Sequence, residues 1–183
     1  MRITKDDVRG ADQYFGLFYA RPDMVISRMF VLKTANHAED VLCYDYAEEE
    51  WERISMPAFR ELMESGSHPG ELSAVSETDA LWFLEQHQAF NGEGDDAAVE
   101  ALLREWTEKK EAFREAYGSG WFSKYVATTF YLKGKQYTIT PDSIGLDQGE
   151  PWDEGFLEYL QGDIGEDLKK LGATEIRHMG FED

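Results

Sequence analysis

The run Met24 to Lys33, MVISRMFVLK, is apolar on both parities, and no other segment constrains the fold as tightly. A strand that buries one face keeps polar residues at every second position. One that is apolar at odd and even positions alike has to be a central strand, covered on both sides. Pro22 and Asp23 mark its start. The neighbouring segments supply candidate partners for it. Tyr14 to Tyr19 is a short aromatic run that fits a strand or a helical turn equally well. Val41 to Tyr46 reads as a strand, and Glu50 to Ile54 alternates acid, Trp, acid, base, Ile as a half-exposed strand does, so a hairpin across Ala47-Glu48-Glu49 joins them and carries carboxylates into solvent.

Helical signals follow. Ser55 and Pro57 open a short helix that Gly66 ends. Leu72 to Val75 is a brief strand, and Ser76 is an N-cap with Glu77 and Asp79 in the first turn of a helix reaching Phe90, with His87 on a face near the core. Val99, Leu102, Leu103, Trp106 and Phe113 recur at helical spacing over Asp96 to Tyr117. Tyr125 to Leu132 and Gln136 to Thr140 form a hairpin around Lys133-Gly134-Lys135. Glu154 to Leu171 is a helix with Gly172 just past its end and an interruption near Gly162; Thr174 to Met179 is the last strand. The order predicts an α+β fold with a mostly antiparallel sheet and three or four helices packed on one side, in a single domain spanning residues 1–183.

Charge narrows the function. Of 37 acidic residues, 26 lie in three stretches without a single lysine or arginine, Glu39–Glu52, Glu61–Glu100 and Asp142–Asp167, so the net charge of −19 is segregated along the chain. Such segregation repels nucleic acid and anionic membranes and steers cationic partners inward. A bland reading, that the charge serves solubility alone, predicts acids spread evenly around the fold. The eleven Phe, nine Tyr and five Trp exclude a disordered acidic tail. No run approaches the roughly 18 apolar residues of a membrane span, and the amino terminus has no apolar signal core, which points to a soluble cytoplasmic protein without membrane contact.

No catalytic motif survives inspection. Asn91-x-Glu93-x-Asp95 resembles part of a calcium loop but has Asp96 where glycine is required and Leu102 where glutamate is required. The four histidines are scattered without metal-ligand spacing, and the single Cys43 sits in an apolar run that suits a buried thiol, so neither a metal nor a cofactor is expected. Trp51, Trp82, Trp106 and Trp121 read as core or element-end residues. Trp152 is different: it stands among acids in a long loop, as an interface anchor does. These features predict a binding protein, not an enzyme. Its acidic face neutralises a basic protein, in the manner of an immunity protein or antitoxin masking a toxin or nuclease domain, or of a nucleic-acid mimic, with no direct nucleic-acid binding. The contact residues expected are Glu48, Glu49, Glu50 and Glu52 on the first hairpin and Asp147, Glu150, Trp152, Asp153 and Glu154 in the long loop. Two other classes remain open: a small enzyme or ligand-binding domain whose pocket gathers distant residues such as His178 or Tyr125, and a structural or assembly subunit.

Overall fold

The computed structural model describes residues 1–19, 25–35, 38–65, 70–117, 125–144 and 160–180. Its contacts divide the chain into two compact units, Met1–Gly92 and Glu93–Asp183.

The first unit is built on a five-stranded antiparallel sheet. Its strands are β1 (Gln13–Tyr19), β2 (Val25–Ala35), β3 (Ala38–Asp45), β4 (Glu50–Ser55) and β5 (Gly70–Ala74), in the order β4-β3-β2-β1-β5. The doubly apolar run is therefore the central strand, as its sequence demands. Phe30 and Leu32 face one side, with Leu17, Val41, Cys43 and Phe59; Met29 and Val31 face the other, both fully buried. The aromatic run left open by its sequence is β1, because its backbone pairs with β2 on one edge and β5 on the other.

Helix α2 (Met56–Ser65) lays Phe59 against Phe15 and Phe30, with ring centroids 5.7 and 5.2 Å apart. Helix α3 (Glu77–Gln86) covers the opposite face, where Phe83 meets Phe18 at 5.8 Å. A single-turn helix, α1 (Lys5–Val8), precedes the sheet, and its buried Lys5 forms an ion pair with Glu85 of α3. The α+β class with antiparallel strands is thus observed. Two features are finer than the expectation: the strands divide between two sheets, and α2 and α3 lie on opposite faces of the larger sheet.

The second unit pairs a three-stranded antiparallel sheet, β6 (Tyr125–Leu132), β7 (Lys135–Ile139) and β8 (Thr174–Gly180) in the order β7-β6-β8, with α4 (Asp96–Tyr117) and α5 (Gly165–Leu171). Helix α4 has the bounds that its periodicity predicts, and Val99 and Trp106 pack with Phe130, Leu132, Ile139, Ile164 and Leu168. The β6–β7 turn has Lys133 and Gly134 at φ 48° and 75°, the mirror-image turn that suits a two-residue hairpin. Leu160–Ile164 forms a π-helical turn before α5, so the expected interruption near Gly162 is real; the earlier part of that expected helix lies outside the described residues.

Candidate functional site

The β3–β4 hairpin holds four of the nine residues that charge singled out. Its turn, residues 46–49, is closed by Asp45. One carboxylate oxygen accepts from the backbone N–H of Ala47 (2.9 Å) and of Glu48 (3.2 Å), while the other accepts from Arg28 Nε at 2.9 Å and ion-pairs with its Nη2 at 2.9 Å. Asp45 is therefore spent on the turn and on Arg28. The glutamates beyond it are exposed, and none forms an ion pair with any described residue. Strand pairing places Arg28, Asp45 and Glu50 in one row across the sheet, with Cys43 and Glu52 in the next. Glu50 and Glu52 thus share the α2 face, whereas Glu49 turns to the other side. The acids are gathered at one end of the sheet without all facing one way. Asp147, Glu150, Trp152, Asp153 and Glu154 lie outside the described residues.

Aromatic packing on the α3 side makes this end rigid. Trp51 is buried and donates its Nε1–H to Ala89 O at 2.6 Å. Tyr44 packs between Trp51, tilted with centroids 5.2 Å apart, and Tyr46, edge-on at 5.0 Å, and Tyr46 meets the His87 ring edge-on at 4.7 Å. Burial raises the Tyr44 hydroxyl above its ordinary pKa, and the nearby charges of Glu49 and Asp45 add to the effect. Burial also drives the Tyr46 hydroxyl upward, and its oxygen has no hydrogen-bond partner among the described residues.

Between the hairpin and the carboxyl end of α3 lies a depression of about 420 Å³, lined by Tyr44, Glu49, Gln86, His87, Gln88 and Asn91 together with Ala89. That volume is within the size range of small-ligand pockets. The Asn91 wall is fixed, since its side chain accepts from Ile3 N at 2.6 Å and donates to Met1 O at 3.2 Å. Two other wall residues, Glu49 and Gln88, have left-handed backbones at φ 55° and 50°. Each costs about 1 kcal/mol relative to glycine.

Three expectations about this region need correction. Helix α3 ends at Gln86, short of Phe90, because the chain turns left-handed at Gln88 and Ala89 N bonds back to Leu84 O at 3.0 Å. His87 is consequently the exposed C-cap of α3 and not a residue of a core-directed helical face. Trp82, expected to be buried, is 55% exposed; Phe83 takes the inward position beside Phe18. Gln86 and His87 reach the wall only because of this early ending, and no glycine at position 88 announces it.

Two of the other candidates, His178 and Asp95, make structural contacts. His178 shares a 2.9 Å hydrogen bond with the fully buried Thr128, and burial lowers its pKa, which keeps the ring neutral inside the second sheet. The Tyr125 side chain lies outside the described residues. Asp95 caps α4 by accepting from Ala98 N at 3.2 Å and also binds Lys133 at 2.5 Å, so the calcium-like spacing serves a helix start. No described group of His, Cys, Asp and Glu side chains is arranged to hold a metal ion, and no described helix is long and apolar enough to cross a membrane. No protein-family model matches the chain, and no curated protein or solved structure matches it either.

Proposed function

We propose that the chain is an acidic cytoplasmic binding protein that captures a basic protein through the β3–β4 hairpin, in the manner of an immunity protein, an antitoxin or a nucleic-acid mimic. The observation that carries this reading is the set of four exposed glutamates, Glu48, Glu49, Glu50 and Glu52, on a braced hairpin, without a cationic partner among the described residues, next to an Asp45 already neutralised by Arg28. A structural role for those four charges would call for ion pairs, and none of the four makes one with a described residue. Carboxylates on a rigid support occupy the lysines and arginines with which a basic protein grips phosphate, and they speed its encounter. Such an association weakens as salt shortens the screening length from about 10 Å at 0.1 M to about 3 Å at 1 M.

The test is affinity capture from the native host with the wild-type chain and with a variant carrying Glu48→Gln, Glu49→Gln, Glu50→Gln and Glu52→Gln. A basic protein retained at low salt, released at high salt and held at least about tenfold more weakly by the variant is the expected result. A partner held equally by both chains, or at every salt concentration, overturns the reading. A second reading, a ligand-binding domain, is favoured by the depression at the end of α3. Under it a small neutral ligand binds there with little dependence on salt.

A further inference from the structure

We propose that the depression beside Glu49 is a socket for one arginine side chain of the basic partner, the guanidinium seated between the Glu49 carboxylate and the carboxyl end of α3. This rests on the binding reading above and names the chemistry its hairpin would select. Three independent observations converge on it.

The first is electrostatic. The carboxyl end of a helix carries partial negative charge, and α3 has no basic residue in its last turn to offset it. Neither lysine nor arginine lines the depression, and Glu49 does. The buried cation of the same unit, Lys5, is matched by Glu85.

The second is the supply of acceptors. The Gln86 side chain makes no hydrogen bond with a described residue, and Glu49 offers both carboxylate oxygens. Acceptors set apart on two chain segments suit the five donors of a planar guanidinium better than the three of a compact ammonium.

The third is the backbone. Glutamate at 49 and glutamine at 88 both hold left-handed conformations that glycine adopts without penalty. Both side chains line the same depression. Strained residues of this kind concentrate at functional sites. Retaining a carboxylate at 49 is accounted for if its side chain is used.

The experiment is an NMR titration of the full ¹⁵N-labelled chain with Nα-acetyl-arginine methylamide, with the matching lysine derivative, and with the citrulline derivative, which keeps the shape of arginine and lacks its charge. The arginine probe is expected to shift the amides of Glu49, His87, Gln88 and Asn91, and to bind at least tenfold more tightly than citrulline and more tightly than lysine. Glu49→Gly should weaken arginine binding at least tenfold while leaving Tm unchanged or raised, and His87→Lys should abolish it. The socket is overturned by equal binding of arginine and citrulline, by equal binding of arginine and lysine, by a Glu49→Gly chain that binds as well as wild type, or by shifts confined to Glu50 and Glu52. None of these results bears on whether a basic protein is captured, which the salt-dependent capture experiment decides separately.

Discussion

Cys43 shows how completely one environment settles a residue's chemistry. Its side chain is fully buried among Phe30, Val41 and Phe59 and lies beside Glu52 on the neighbouring strand. Burial, then the Glu52 charge, pushes the thiol up to about 12. At pH 8 roughly one molecule in ten thousand is then a thiolate, the form that reacts. Native protein at pH 8 is expected to resist iodoacetamide over hours and to be labelled fully in denaturant; rapid labelling of the native chain would refute this placement. Trp51 tests a different contact. Trp51→Phe keeps most of the apolar ring but removes the 2.6 Å bond to Ala89 O, orphaning a buried carbonyl, and should cost about 1–3 kcal/mol in a denaturant titration. Sequence composition assigned both residues to the interior correctly. It failed at Trp82 and His87, adjacent to equally apolar or helix-compatible neighbours, because which residue of the pair Trp82-Phe83 turns inward depends on where Phe18 stands, 65 positions or so away along the chain.

At the scale of elements, both hairpins were legible because each is a local event: alternating runs, a turn of suitable residues, and a register closed within a few positions. Helix α4 was equally plain, being long, periodic and amphipathic. The β1 strand was not, since its five aromatic and aliphatic residues around Gly16 acquire strand geometry only from partners on both edges. The depression was least legible of all, for it requires the end of α3 to fold beside a turn about forty residues earlier. Asp45 holds that turn, and Asp45→Ala removes its two backbone bonds and the Arg28 pair together. A loss of about 1–2 kcal/mol is expected, with Asp45→Asn intermediate because an amide oxygen still caps the turn. A second clamp secures the start of α4. Lys133 beside Asp95, and Lys135 with the Tyr137 hydroxyl beside Asp96, hold both carboxyls below the usual carboxylate range. A depressed carboxyl stabilises the fold above its unfolded pKa of about 3.9, and the contribution disappears as pH falls through the folded value. The double variant Lys133→Ala, Lys135→Ala should therefore show a shallower loss of stability than wild type on acidification from about pH 5, measured by chemical denaturation at each pH. Gly94→Ala attacks the same clamp sterically: at φ 65° its new Cβ meets the Tyr137 hydroxyl and the Lys135 side chain, and destabilisation of more than about 1 kcal/mol is expected.

For the molecule as a whole, the single-domain proposal makes a calorimetric prediction. Two compact units that fold as one domain melt in one transition whose calorimetric and van't Hoff enthalpies agree, whereas independent units separate into two under destabilising substitutions confined to one of them. Phe59→Ala, which empties the α2 side of the first sheet at a cost of about 3–5 kcal/mol, is the informative perturbation. A lowered but still single Tm supports one cooperative body; a split transition refutes it. Among the described residues, the sheet of the first unit has β4 as one edge strand and the short β5 as the other. Unpaired strand backbone invites a second molecule to add to it, and charged side chains on such a rim are a common defence. Glu50 and Glu52 alternate along β4 on one face. The same glutamates proposed to attract a cationic protein therefore also keep identical chains from stacking edge to edge. Glu50→Gln with Glu52→Gln should therefore make the chain prone, at neutral pH, to fibril growth seeded at this rim.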